Sequence, residues 1–126
     1  MDNQESRKIK SFRDLDVWKV GHELVLIIYK VTKNFPKEEM FGLTSQMRRS
    51  AVSITSNIAE GFSRVSPKEK SHFYSMSKGS LTELHDQLII SLDVGYLSSE
   101  EYDVAENLLI RTHMILNKFI LSTNRM

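Results

Sequence analysis

The chain has 126 residues, of which 40% are hydrophobic and 26% charged, a composition typical of a single soluble globular domain. It contains no cysteine, which excludes a disulfide framework, a thiol nucleophile and a zinc–thiolate site, and favours a cytoplasmic location. The net charge of +1 is too small to indicate nucleic-acid binding by itself, although it divides into +3 over residues 1–64 (eleven Lys and Arg against eight Asp and Glu) and −2 over residues 65–126 (six against eight). No apolar run approaches the roughly 20 residues of a membrane span, and the polar N-terminus does not resemble a secretory signal, so no membrane association is expected.

The first part of the chain predicts a basic arm followed by an amphipathic helix. Residues 1–11 are polar and are expected to form a flexible arm, with a single domain over residues 12–123. Apolar residues recur at helical spacing from Phe12 to Phe35, and Pro36 ends the helix because the residue before a proline is pushed out of the α region. The predicted inward face consists of Val17, Trp18, Gly21, Val25, Ile28 and Thr32. A helix that is apolar beyond one stripe needs more than one partner, so we interpret an additional apolar edge as a subunit interface. This edge consists of Val20, Leu24, Ile27 and Val31.

The second helix carries an apolar stripe and, beside it, a polar row. The apolar stripe consists of Leu43, Met47, Ala51, Ile54, Ile58 and Phe62. The polar row is made of small hydroxyls and amides, which are mediocre helix formers, so we predict that it makes specific contacts. Two interpretations remain open: a hydrogen-bond network that fixes the helix register, and a subunit interface. The residues predicted to hold the bundle or the oligomer together are Gln46, Ser53, Asn57, Glu60 and Glu83.

Turn and capping signals divide the rest of the chain into two further helices. The second helix is predicted to stop at Gly61 or shortly after, with Gly61 in the left-handed conformation that glycine tolerates at a helix end. Ser66 and Ser98 are each followed three residues later by glutamate, which indicates the N-caps of a third and a fourth helix. Small residues on the third helix predict a close crossing near Gly79 and Ser80. Four helices joined by short connections predict an all-α, up-down-up-down antiparallel four-helix bundle.

The sequence offers little support for catalysis or metal binding. Glu69 and His72 form a Glu-x-x-His pair, but di-metal bundles need two such pairs and two further glutamates. The remaining histidines, His22, His85 and His113, fall on different helices without ligand spacing. There is no Gly-x-Ser-x-Gly elbow and no glycine-rich phosphate loop. We therefore predict that the protein is not an enzyme and holds no cofactor or metal.

Basic residues along and after the second helix are candidates for phosphate contacts. They are Arg48, Arg49, Arg64, Lys68 and Lys70. In the alternative interpretation they are solvated, or they pair with acidic residues. The candidate acidic partners are Glu60, Glu83 and Asp86. On the sequence alone the alternative is favoured, because most helical bundles carry this many basic residues.

Four short motifs resemble those of a known family. The first two are Phe12-x-x-Leu15-x-x-Trp18 and Phe35-Pro36-x-x-Glu39-x-x-Gly42-Leu43-x-x-Gln46-x-x-Arg49. The others are Ser53-x-x-Ser56-Asn57-Ile58-Ala59-Glu60-Gly61 and Gly79-Ser80-x-x-Glu83-Leu84. With these motifs, residues 12–120 resemble the bacterial four-helix-bundle family of 23S rRNA intervening-sequence proteins. Some relatives in that family are accessory variability proteins of diversity-generating retroelements.

The resemblance implies a four-helix protomer assembled as a homopentamer, in agreement with the additional apolar edge of the first helix. It also implies nucleic acid or a nucleic-acid-processing protein as a partner. We therefore predict a non-enzymatic, oligomeric, cytoplasmic protein that binds nucleic acid, with RNA expected before DNA. The alternative function is a structural adaptor ring that docks another protein without contacting nucleic acid.

Overall fold

A computed structural model describes residues 8–125 and contains the four predicted helices. They are α1 (Asp16–Thr32), α2 (Leu43–Ser63), α3 (Pro67–Asp93) and α4 (Ser99–Asn124), with short 3-10 turns at Phe12–Asp14 and Lys37–Glu39. Within residues 8–125 there is no strand, and no helix long and apolar enough to cross a membrane. Each helix packs against the next, and α4 closes the bundle against α1. The short connections make successive helices antiparallel.

The predicted N-terminal arm lies largely outside the described residues, which begin at Lys8. Ile9 already packs against the core. The backbone N–H of Ser11 donates to the Asp14 carboxylate at 3.1 Å, and the Ser11 hydroxyl caps the first 3-10 turn. The packed part of the chain therefore begins a few residues before Phe12.

The α1 helix is apolar on two sides because it packs against both α2 and α4. Val20, Leu24 and Val31 are only 5, 0 and 8% exposed within a single chain. The predicted subunit interface is therefore wrong for these three residues, since side chains that fill the protomer core cannot meet another subunit. Ile27 is partly buried against the same core. The apolar pattern of a helix indicates how much of its surface is buried. It does not show whether that surface packs against helices of the same chain or against another subunit.

Small side chains on α3 allow α2 and α3 to pack closely, as the sequence predicts. The hydroxyl of Ser77 is fully buried and donates to the backbone carbonyl of Ile54 on α2 at 2.7 Å. Further along, the Ser91 hydroxyl donates to the sulfur of Met47 at 3.2 Å. Both hydroxyls find a partner inside the core, which removes the penalty for burying them.

Of the two glycines Gly61 and Gly79, Gly61 is the one against which a side chain of the other helix packs tightly. A Cβ atom on Gly61 would lie 2.6 Å from the ring of Tyr74, whereas a Cβ atom on Gly79 would meet nothing within 4 Å. Gly61 lies inside α2, which ends at Ser63, so its predicted left-handed conformation at the helix end is wrong. Among the described residues the positive φ belongs to Gly95, at +86°, in the α3–α4 connection.

The predicted N-caps of α3 and α4 are confirmed. The Ser66 and Ser98 hydroxyls each accept the backbone N–H of the glutamate three residues on, at 3.1 Å. At the start of α4 the carboxylate of Glu101 in turn accepts a hydrogen bond from the Ser98 N–H at 2.9 Å. These bonds satisfy backbone donors that have no partner within the helix.

Candidate nucleic-acid interface

The connection between α1 and α2 is held in place by Glu39. One carboxylate oxygen accepts the backbone N–H of Leu43, the first residue of α2, at 3.1 Å, and the other accepts the Tyr96 hydroxyl at 2.9 Å. Phe35, at the start of the connection, is 7% exposed, and its ring centre lies 5.3 Å from that of Tyr96. These contacts anchor both ends of the connection, so the residues between them have a defined course over the bundle.

A groove of about 710 Å³ lies between this connection and the adjoining sides of α1 and α2. Its aromatic and aliphatic lining consists of Tyr29, Phe35, Pro36, Met40, Phe41 and Val52. Its cations are Lys33, Lys37, Arg48 and Arg49, and no carboxylate lines it. A concave surface that concentrates positive charge in this way attracts anions.

Arg48 is the best-anchored cation of the groove. Its Nε donates to the Thr32 hydroxyl at 2.9 Å, and its Nη2 donates to the Tyr29 carbonyl at 3.4 Å. The guanidinium also lies over the Tyr29 ring, 4.7 Å from its centre. All of these partners are neutral. None of the four groove cations forms an ion pair within residues 8–125, so no carboxylate there is in direct contact with them.

The five predicted phosphate-binding residues do not form one patch. Arg48 and Arg49 lie in the groove, whereas Arg64, Lys68 and Lys70 lie at the turn between α2 and α3. Sixteen residues of helix separate Arg48 from Arg64, about 24 Å at 1.5 Å per residue. The two groups are therefore separate sites, and their surroundings differ.

At the α2–α3 turn, two of the three basic side chains stabilise the fold. Arg64 pairs with Glu60 at 2.9 Å and lies over the Phe73 ring at 4.7 Å, which confirms the predicted alternative of an ion pair. The ammonium of Lys70 donates to the carbonyl of Phe62 at 2.8 Å, near the end of α2. A cation at this position satisfies a terminal carbonyl and interacts favourably with the helix dipole. Two of the three positive charges at the α2–α3 turn are therefore already engaged by partners within the chain.

The polar row of α2 is in part a hydrogen-bond network. The Ser80 hydroxyl on α3 donates to the Ser53 hydroxyl at 2.9 Å, and Asn57 donates to the same hydroxyl at 3.0 Å. For Ser53 and Asn57 the network interpretation therefore holds, and it links α2 to α3. Gln46 and Glu83 are exposed and line a second, smaller depression of about 450 Å³ on the α2–α3 side.

A separate cluster of titratable groups joins α3 to α4. The Tyr102 hydroxyl and the His85 ring meet one carboxylate oxygen of Glu106, at 2.5 and 2.8 Å. The hydrogen bond from Tyr102, and to a smaller extent that from His85, lowers the pKa of Glu106. Burial raises the pKa of Tyr102 to about 12. Nearby, burial lowers the pKa of His113. Within residues 8–125 no group of three or more His, Asp or Glu side chains is placed to hold a metal.

A comparison with protein-family models matches residues 13–118 to the 23S rRNA-intervening sequence protein family. The chain belongs to this family. The match covers all of α1, α2 and α3 and most of α4, so it includes every residue that lines the groove. The family resemblance of the sequence motifs is thereby confirmed.

Comparison with solved structures gives the same fold for this member of the 23S rRNA-intervening sequence protein family. One similar chain is a protein of unknown function from the S23 ribosomal protein family of Bacteroides thetaiotaomicron. It is 22% identical, with a TM-score of 0.77 over 82% of this chain and 94% of that one. No curated protein matches the chain. At this identity the solved structure supports the fold alone.

Two of the four groove cations of this family member, Arg48 and Arg49, are predicted from the sequence, whereas Lys33 and Lys37 are not. The exposed rings of Tyr29 and Phe41 are not predicted either. The sequence signal that could have indicated this site is the pair of lysines on either side of Pro36, in a connection that also carries aromatic residues. The sequence does not show the path of the connection, however, so it cannot place these residues beside Arg48.

Proposed function

We propose that this family member is a non-enzymatic nucleic-acid-binding protein that holds phosphates in the groove between α1 and α2. The observation that carries the proposal is the charge of the groove, four cations with no acidic residue in its lining. The whole chain has 17 basic and 16 acidic residues, so this lining is a local concentration of positive charge.

The remaining lining of the groove supports nucleic acid over a small inorganic anion. Cations beside exposed aromatic and aliphatic side chains offer contacts both to phosphates and to the faces of bases. A sulfate or phosphate ion would make no use of Phe41 or Met40, which are 93 and 56% exposed. RNA is the first candidate, because the family takes its name from sequences within 23S rRNA genes.

We expect the functional form to be a cytoplasmic homo-oligomer, a pentamer by family resemblance. Because the apolar edge of α1 is buried, we place the subunit contact on another, exposed apolar face, the outer side of α4. There Ile110, Met114 and Leu121 are 44, 59 and 55% exposed at helical spacing. Several copies present several grooves, and simultaneous contacts raise the avidity for one long RNA.

The first test compares two lysines that differ only in location. Lys37→Glu and Lys68→Glu each change the charge by −2 at an exposed position, one in the groove and one at the α2–α3 turn. At about 6 Å in water each unit of charge contributes about 0.7 kcal/mol, so Lys37→Glu is expected to weaken RNA binding about tenfold. Lys68→Glu is expected to change it less than about threefold. Fluorescence anisotropy with a labelled RNA measures both, and light scattering shows whether each variant keeps the mass of the parent.

Equal losses in the two variants would show that only net charge matters and would contradict a binding groove. The adaptor function is the second candidate, and it is favoured by exposed apolar side chains outside the α4 face, those of Met76, Ile89 and Ile90 on α3. Absence of RNA and DNA binding by the parent protein, together with a defined oligomer, is the outcome that this candidate predicts.

A further inference from the structure

We propose that the groove receives an unpaired nucleotide whose base stacks on the ring of Phe41. This inference rests on the proposed function and adds a preference for single-stranded over double-stranded nucleic acid. Phe41 is 93% exposed, an unusual state for a phenylalanine, because its ring leaves most of its apolar surface in water. A free aromatic face on a positively charged surface is the usual platform for an unpaired base.

The position of Phe41 is set by its neighbours in the chain. The following residue, Gly42, precedes α2, and its N–H donates to the carbonyl of Glu39 at 3.0 Å. The carboxylate of Glu39 is itself held by Leu43 and Tyr96. The ring of Phe41 is therefore displayed on an anchored turn, so stacking does not require a long loop to become ordered.

The other exposed aromatic ring of the groove is not equally free. One face of Tyr29 is covered by the guanidinium of Arg48 at 4.7 Å, and Tyr29 itself is 39% exposed. Within residues 8–125 no aromatic ring and no cation stacks on Phe41. Phe41 is thus the side chain of the groove with a ring face open to a base.

Cations lie beside this ring, mostly on its groove side, whereas the second depression also contains the carboxylate of Glu83. Phe41 and Arg49 line the groove and also the second depression on the α2–α3 side, so Phe41 stands between the two. Lys33, Lys37 and Arg48 lie on the groove side. A strand that enters the groove past Phe41 can therefore place a base on the ring and its phosphates on the groove side near cations. In a duplex the bases are stacked on each other and paired, and none is free to cover the ring.

The preference for unpaired nucleotides is tested with three probes of equal length, an oligouridine RNA, an oligothymidine DNA and an RNA duplex. Removing the ring in Phe41→Ala is expected to weaken binding of both single strands roughly 5- to 100-fold, the range measured for one base–aromatic stack. Binding of the duplex is expected to stay within about twofold, because its phosphate contacts remain. Val65→Ala is the matched control, since Val65 is equally exposed at 93% and lies at the α2–α3 turn.

Phe41→Trp gives a direct readout of stacking. The chain has a single tryptophan, Trp18, so the fluorescence added by the variant reports on position 41. We expect this variant to keep its affinity for single strands, and its added fluorescence to be quenched when they bind. Tighter binding of RNA than of DNA assigns the ligand to RNA, and equal binding assigns it to unpaired nucleotides of either sugar.

Three outcomes overturn the inference. If Phe41→Ala binds single strands as the parent does while Lys37→Glu still weakens binding, stacking is wrong and the phosphate-binding groove stands. If Phe41→Ala dissociates the oligomer, the ring belongs to a subunit contact. If the parent binds none of the three probes, the inference and the proposed function fail together.

Discussion

Replacing Gly61 with alanine is expected to lower the free energy of unfolding by about 2 kcal/mol. The new methyl group would lie 2.6 and 2.9 Å from two ring carbons of Tyr74 and 3.0 Å from the Cβ of Phe73. The Tyr74 ring is 1% exposed and packs against Phe119, so it cannot move aside without disturbing the core. At a helix position with free space around the Cβ atom the same substitution would be stabilising. The sign of the change in stability therefore shows whether Gly61 is in close contact with the neighbouring helix.

Gly79→Ala is the matched control, because Gly79 also lies inside a helix but has open space around its Cβ position. It is expected to raise the free energy of unfolding by roughly 0.5–1 kcal/mol through helix propensity alone. Chemical denaturation of both variants measures the difference, expected near 3 kcal/mol in total. Two variants that shift stability in the same direction would contradict the close contact between α2 and α3 at Gly61.

Reversing two charges of the groove together is expected to have the largest effect on function. Lys37→Glu combined with Arg49→Glu changes the local charge by −4, and at about 0.7 kcal/mol per unit charge this weakens RNA binding about 100-fold. Neither residue forms an ion pair within residues 8–125, so the fold should tolerate both changes. Anisotropy titration gives the affinity, and circular dichroism gives the thermal midpoint.

The control for this double variant combines Arg13→Glu with Lys68→Glu. It also replaces one arginine and one lysine at exposed positions, and it gives the same net charge. RNA binding is expected to weaken less than about fivefold, because these residues lie outside the groove. If the control lost as much affinity as the groove variant, the assignment of phosphate contacts to the groove would be wrong.

The sequence predicts the architecture well because its signals are local. Helical spacing, Pro36, and the N-cap serines Ser66 and Ser98 each depend on a few neighbouring residues, and the structure contains the helices that they predict. The errors concern packing partners. Val20, Leu24 and Val31 are apolar for the same reason in a core as in an interface, and a helical pattern does not separate the two.

The role of Gly61 is another case in which local sequence does not reveal the packing partner. Its position near the end of α2 suggests a left-handed cap, whereas the real constraint is the ring of Tyr74, 13 positions further along the chain. The groove is harder still to predict, because Lys33 and Lys37 reach Arg48 only through the path of the α1–α2 connection. That path depends on Glu39 contacting Tyr96, a residue beyond α3, so no local pattern contains it.

The most direct test of a phosphate-binding groove is the salt dependence of RNA affinity. With a single-stranded RNA of about ten nucleotides, the logarithm of the association constant is measured against the logarithm of salt concentration. Four groove cations on four phosphates predict a slope of about −3, at about 0.7 released counterions per contact on a single strand. The Lys37→Glu and Arg49→Glu double variant is expected to bring the slope to about −1. A slope near zero for the parent, or the same slope in the double variant, would contradict binding of nucleic acid through this groove.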